Sequence, residues 1–369
     1  MNMRLSLLAL TLFLCAQAGY AQAYKYTDAQ KLTVVGKLLP TSNPYHRIES
    51  SKYDGFTSGE AGQCRHCAGM AIAFKTDSDY IGIDVKYSKI TSRSDRGISG
   101  FDLYIRKDGQ WLWAGNNVPT KGNPNEFITL PLLPHSIEGW KECLLYLPLQ
   151  SVVSELQIVT DEDSRVLPID NPFKGRIAVF GSSYTHGASA ERPALTYSAQ
   201  LSRMTGYQFI NMGFCGNSKL QPYFADALLD AENVDAYVFD AFSNPTPQQM
   251  EERLFPFIEK FQAAKPGIPL IFIKTLYREK RNFNPEYEAR EQAKMDMADS
   301  LMTIAVQKYP NVYWIETTNT VDGTHEWTAD GSHPAGYGYH LMAKSLREPL
   351  EAIIAPVILS APVILSGTK

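Results

Sequence analysis

Residues 176–187 read Arg-Ile-Ala-Val-Phe-Gly-Ser-Ser-Tyr-Thr-His-Gly, a short apolar run (RIAVF) that breaks at Gly181 into a polar turn. A run of this length bounded by turn residues predicts a buried strand over Arg176–Phe180. Further strands are expected at 207–212 (YQFINM), 234–239 (VDAYVF), 269–273 (PLIFI) and 312–315 (VYWI). Longer segments with helical spacing lie between them, most clearly Pro247–Ala264 and Tyr287–Tyr309. Alternating β and α elements predict a parallel sheet with helices on both faces. In such sheets ligands bind at the carboxyl ends of the strands, which directs attention to the turn after Gly181.

Toward the N-terminus the rhythm changes. From Tyr24 to about Val166 the β-prone runs are brief, among them Ala71–Phe74, Tyr80–Val85 and Phe101–Ile105, with Leu132, Pro134 and the Leu144–Leu149 stretch continuing the pattern. Turn residues such as Asp77-Ser78-Asp79, Lys107-Asp108-Gly109 and Gly115-Asn116-Asn117 separate them. This predicts an all-β sandwich or jelly roll, joined at Asp170-Asn171-Pro172 and Gly175 to the α/β part. The expected division is residues 24–168 for the β domain and 174–354 for the α/β domain. Arg4, the apolar Leu5–Leu14 stretch and two A-x-A patterns ending at Ala18 and Ala23 make residues 1–23 a secretory signal peptide by their order. Leu14 is bulky where lipoprotein processing at Cys15 needs a small residue, which argues against a lipid anchor there. At the other end the sequence APVILS occurs twice, at 355–360 and 361–366. It is read as an apolar tail or β-prone edge segment over 355–369.

The chain has 369 residues, 35 Lys and Arg against 39 Asp and Glu, and a formal charge of −4. A mildly acidic protein without a basic stripe is not expected to have nucleic acid as its partner. No run of 18 apolar residues occurs, so no membrane span is expected. Cys64, Cys67, Cys143 and Cys215 are too few for a disulfide scaffold. Cys64-Arg65-His66-Cys67 is a lone CxxC, read as a local disulfide or two unpaired thiols. With no HExxH and no second CxxC, neither a catalytic metal nor a cofactor is expected.

Two motifs remain for chemistry. Ser183 follows the first strand of the α/β part, where a hydroxyl can be exposed at a helix start, although the same position suits an N-cap. The G-x-S-x-G elbow is absent, because Thr185 stands where the second glycine would be. Near the C-terminus, Asp330-Gly331-Ser332-His333-Pro334 places a carboxylate three residues before a histidine, which could orient the ring as a base toward serine. A solvated turn is the plainer reading of that segment alone. Asp322-Gly323-Thr324-His325 repeats the spacing, without the proline and glycines that follow His333.

Taken in order, these segments resemble the four blocks of the SGNH (GDSL-like) hydrolase family. Gly181–Thr185 resembles the first, which implies Ser183 as nucleophile. Asn211–Asn217 resembles the second and implies the Gly216 N–H as an oxyanion donor, with the Ser183 N–H beside it. Asp240–Asn244 resembles the third and implies the Asn244 side chain as another donor. Asp330 and His333 match the last, as orienter and base. Gly100-Phe101-Asp102-Leu103-Tyr104 resembles the GxDLY signature of an N-terminal β domain found before such hydrolases. The resemblance implies a flavodoxin-like three-layer α/β hydrolase preceded by an all-β sandwich. The pattern departs at Ser182, which replaces the acid of G-D-S and makes a rival nucleophile, and at Phe242, where a glycine is usual. Cys215, beside Gly216, is read as a small buried residue. His186 is expected to line the site. The function expected is a secreted serine esterase acting on short acyl esters, acetylated carbohydrate foremost, with a small-molecule or glycan ester as substrate. A lipid acyl-hydrolase and an inactive glycan-binding protein are the alternatives.

Overall fold

The computed structural model describes residues 23–317 and 323–360. Residues 1–22 of the expected signal peptide, with Cys15, and Asp322 and the second APVILS copy lie outside these residues. The N-terminal half forms two antiparallel sheets. One has the order β1 (Tyr24–Asp28), β9 (Val152–Asp161), β4 (Ile81–Lys89), β7 (Phe127–Leu133). The other runs β10 (Val166–Pro168), β3 (Ala71–Thr76), β8 (Lys141–Tyr146), β5 (Phe101–Lys107), β6 (Gln110–Asn117), with β2 (Thr33–Val35) on β3. Side chains alternate across each strand, so Ile81, Ile83 and Val85 of one sheet meet Ile72, Phe74, Leu103 and Leu145 of the other in one buried core. Two short helices, α1 (Ser58–Cys64) and α2 (Arg96–Ser99), lie in loops of this sandwich.

The second half is a five-stranded parallel sheet in the order β12 (Tyr207–Gly213), β11 (Lys174–Gly181), β13 (Ala236–Asp240), β14 (Leu270–Ile273), β15 (Val312–Ile315). It is the flavodoxin-like doubly wound order, whose switch point falls beside the first strand. Along β11, Ile177 and Val179 face a core with α4 (Tyr197–Thr205) and α8 (Gly336–Ser360), whereas Ala178 and Phe180 face α5 (Pro222–Leu229), α6 (Pro247–Ala264) and α7 (Pro285–Lys308). Burial on both faces accounts for the continuous apolar run in the sequence. The very short α3 (Ser183–His186) follows β11 directly. Gly181 is in register with Gly213 on one side and Asp240 on the other, so three strand ends meet in one row.

The halves share their interiors. Leu38, Leu39, Ile48 and Cys64, in and around α1, belong to the same core as Phe180, Phe214 and Phe224. The outer face of the six-stranded sheet, through Tyr104, Leu144 and Tyr146, packs on Phe173, Ala194 and Ala199. The first APVILS copy is not a strand: it forms the last turns of α8.

Candidate active site

The turn after β11 is built around a buried carboxylate. Asp240 accepts hydrogen bonds from the Ser182 N–H (3.0 Å), the Ser182 hydroxyl (2.6 Å) and the Thr185 hydroxyl (3.0 Å). Burial pushes its pKa up, against the pull of those donors. The Ser182 oxygen also accepts the Tyr184 N–H and so caps α3. Gly181 is required by this closeness, since a Cβ there would lie 2.2 Å from the Thr185 hydroxyl and 2.6 Å from the Asp240 Cβ. Ser182 is thereby buried and fully engaged, while Ser183, one residue on, is half-buried.

The Ser183 Oγ lies 3.0 Å from His333 Nε2, and His333 Nδ1 lies 2.8 Å from Asp330 Oδ2. The other Asp330 oxygen accepts the N–H groups of Ser332 (2.9 Å) and His333 (2.7 Å). Burial works to raise the Asp330 pKa, but these N–H groups and the imidazole outweigh it and hold it down to about 2. An ionised carboxylate accepts the Nδ1 proton, which leaves the Nε2 lone pair facing the serine hydroxyl. The His333 loop is held by a bridge between Thr328 and Pro334, over the buried Trp327. Tyr184 packs its ring edge-on to His333 at 5.9 Å, and its hydroxyl accepts from Arg278, itself paired to Glu291 at 2.6 Å.

Around the serine, the N–H groups of Ser183 and Gly216 have no protein acceptor among the described residues. Gly216 has φ +71°, a left-handed conformation suited to glycine. The Asn244 amide, half-buried, donates to the Ser218 hydroxyl at 3.0 Å. Phe242, at the position where the resemblance expects glycine, is buried against Phe272 and Trp314. Asn211 ties the turns together, donating to the Thr185 carbonyl and accepting the Gly213 N–H. These positions suit attack by an oxygen nucleophile on an acyl carbon, with N–H donors nearby for a developing oxyanion.

The other expected residues fall elsewhere. His325 is exposed and paired to Glu279 at 3.1 Å, with no contact to Ser183 among its hydrogen bonds. His186 does not line an open pocket. It is buried behind the second loop, where Nδ1 accepts the Cys215 N–H (3.4 Å), Nε2 meets the Leu149 carbonyl (2.9 Å), and burial holds its pKa well below the ordinary value. Cys64 and Cys67 are unpaired buried thiols, and burial pushes the Cys215 thiol up to about 12. No three His, Cys, Asp or Glu side chains converge to hold a metal ion among the described residues. Sequence reasoning gave no role to Asp240, Arg278, or the N-terminal residues Arg47, Gln63 and His66. Asp240 opens the third block and could have been noticed there; the others carry no local signal.

A family model described as the GDSL-like lipase/acylhydrolase family matches residues 174–351, and one described as the N-terminus of Esterase_SGNH_hydro-type matches residues 24–166. Among solved structures, a GDSL-like lipase from Bacteroides ovatus is 32% identical, covers 90% of this chain and 98% of its own, and superposes with a TM-score of 0.84. A salicylyl-acyltransferase from a tetracycline biosynthetic pathway is 18% identical (92% and 99% covered, TM-score 0.66). A family two carbohydrate esterase from Cellvibrio japonicus is 12% identical (90% and 98% covered, TM-score 0.61), and at these last two identities the likeness is one of fold. A search of curated proteins finds no match.

Proposed function

The chain belongs to the GDSL-like lipase/acylhydrolase family and is an esterase, and on that premise we propose a secreted serine esterase that removes short acyl groups, acetyl foremost, from carbohydrate. The observation that carries the catalytic part is the line of contacts from Ser183 Oγ through His333 to Asp330, at 3.0 and 2.8 Å. His333 Nε2 takes the hydroxyl proton as Ser183 Oγ bonds to the ester carbon, and the carbonyl electron pair moves onto oxygen. The N–H groups of Ser183 and Gly216, with the Asn244 amide, receive that oxyanion. Its collapse expels the alcohol, protonated by His333, and leaves an acyl-serine. Water repeats the sequence with His333 as base, releasing the acid and restoring the hydroxyl.

The carbohydrate part is supported by the fold shared with the carbohydrate esterase above. Where the halves meet, an open surface depression is lined by Arg96, Trp113, Asn116, Glu191 and Arg192. Glu191 accepts the Gly336 N–H at 2.7 Å, which joins the wall of this depression to the segment after His333. In this reading residues 1–23 direct export, 24–168 form the β module and 174–354 the hydrolase. The test is hydrolysis of p-nitrophenyl acetate and decanoate by wild type and Ser183→Ala. Acetate turnover is expected to exceed decanoate turnover and to fall by about 1000-fold or more in the variant. Preference for decanoate would move the substrate to lipids, and full activity in Ser183→Ala would overturn the nucleophile.

A further inference from the structure

We propose that Gln63, on helix α1 of the N-terminal module, is a positioning residue for the oxyanion hole, aiming the Gly216 N–H by holding the Cys215 carbonyl. The inference rests on the reading of Gly216 as an oxyanion donor. In a trans peptide the C=O and N–H point in opposite directions from one rigid plane. The Cys215 carbonyl and the Gly216 N–H share such a plane, so whatever fixes one fixes the other. Gln63 Nε2 donates to the Cys215 oxygen at 3.0 Å, and Asn217 Nδ2 donates to the same oxygen at 3.0 Å. Two donors use both lone pairs of that oxygen. Gly216 itself resists rotation weakly: it is left-handed, and nothing lies within 4 Å of where a Cβ would stand. The direction of its N–H is therefore set by the partners of residue 215.

Those partners are themselves held. Arg47 is buried and donates to the Gly213 carbonyl (2.8 Å), the Gln63 carbonyl (2.9 Å) and the His66 carbonyl (3.2 Å). One guanidinium thus clamps the helix that carries Gln63 to the start of the oxyanion loop. Its carbon stands 4.8 Å from the Phe214 ring centre. At the far end of the loop, Gln221 donates to the Asn217 carbonyl (2.6 Å) and to Glu60 on α1 (3.1 Å). The carbonyls at 213, 215 and 217 are all engaged, and two of them directly by side chains from the N-terminal module.

Methionine has nearly the length and bulk of glutamine with no donor, and the Gln63 Oε1 has no partner to lose among the described residues, so Gln63→Met removes the hydrogen bond with little change in packing. That variant, Gln63→Ala, Asn217→Ala and the Gln63→Met/Asn217→Ala double variant are compared with wild type and Ser183→Ala on p-nitrophenyl acetate, with melting temperatures measured in parallel. Each single variant is expected to lower kcat by about 10-fold and the double variant by about 100- to 1000-fold, the loss typical of one missing oxyanion donor. KM stays within about twofold, because the donor acts on the transition state. Phosphonylation of Ser183 by a fluorophosphonate should slow in the same ratio, since its phosphoryl oxygen takes the oxyanion position. Wild-type kcat in the double variant, or a change confined to KM, would overturn the role of Gln63. Undiminished turnover in Ser183→Ala would instead remove the catalytic reading, and the role of Gln63 with it.

Discussion

At Ser182 the hydroxyl is used twice, donating to Asp240 at 2.6 Å and accepting the Tyr184 N–H at 3.1 Å. A buried, doubly engaged hydroxyl cannot approach an ester, whereas the neighbouring Ser183 hydroxyl faces His333. Ser182→Ala is therefore expected to cost about 1–2 kcal/mol through loss of the cap and of one of the three hydrogen bonds to the buried Asp240 oxygen. It should keep kcat within about tenfold of wild type, because the proposed nucleophile and oxyanion donors remain. Denaturant melts and kinetics check both, and abolished turnover with an intact fold would return Ser182 to the chemistry. Asp330 permits a pH prediction. Held at about 2, below the unfolded carboxylate value, it contributes stability that is present at neutral pH and lost as pH falls toward 2. The difference in melting temperature between wild type and Asp330→Asn should be present at pH 6 and vanish near pH 2. The acid limb of kcat/KM should fall with slope one, since this carboxylate stays ionised throughout; slope two would show it titrating in the same range. Asp330 and His333 were readable because they are three residues apart on one loop. The contact from Asp240 to Ser182 crosses between strand ends 58 residues apart, and no local pattern marks it.

Helix α1 shows how a short element acquires a fixed position. Thr57 accepts the Glu60 N–H, and Glu60 accepts the Thr57 N–H (2.8 Å) and hydroxyl (2.9 Å), a complete capping box. The second Glu60 oxygen accepts from Gln221 (3.1 Å) and the Tyr223 hydroxyl (3.0 Å), which binds the helix to α5. Seven residues would not hold a helix alone in water, so these bonds fix the turn on which Gln63 stands. Glu60→Ala should cost about 2 kcal/mol in stability, from the cap and the stranded donors, and should lower kcat as well. Glu60→Gln, whose amide keeps one acceptor oxygen but turns an NH2 group toward the other set of donors, should recover only part of each. A loss of melting temperature with unchanged kcat would show that α1 has no mechanical link to the loop. The strands of the parallel sheet were legible as continuous apolar runs between turn residues, and α6 because its apolar positions repeat with one period over many residues. The first APVILS copy was not: its β-branched composition points to a strand. Leu350 and Ile354 are buried on α8 and Ile358 packs on the same core, which carries the helix on through Pro356.

Across the whole molecule the GxDLY strand β5 serves as a joint. Asp102, fully buried, accepts from Arg192 at 2.7 Å through both oxygens and from the Ala194 N–H at 3.3 Å. Tyr104, two residues on, points to the same face of the sheet and receives Arg192 at 3.3 Å, with the Arg203 guanidinium 4.4 Å above its ring. The signature thus grips the segment between α3 and α4, and with it the far side of the turn that carries Ser183. From sequence these were simply strand residues, because their partners lie about 90 positions away in another fold unit. Removing one member of a buried ion pair leaves the other desolvated without a counter-charge, typically at about 3 kcal/mol or more. Arg192 keeps some contact with water, at 21% side-chain exposure, so Asp102→Ala should fall near the low end of that range. The double variant Asp102→Ala/Arg192→Ala should recover part of the loss, since it leaves no unpaired charge. Chemical denaturation should then show a lower midpoint for Asp102→Ala, with the hydrolase half destabilised alongside the sandwich because they share three cores. Separate unfolding transitions for the two halves in wild type would contradict that coupling, and would mean that the oxyanion loop is braced only while the sandwich remains folded.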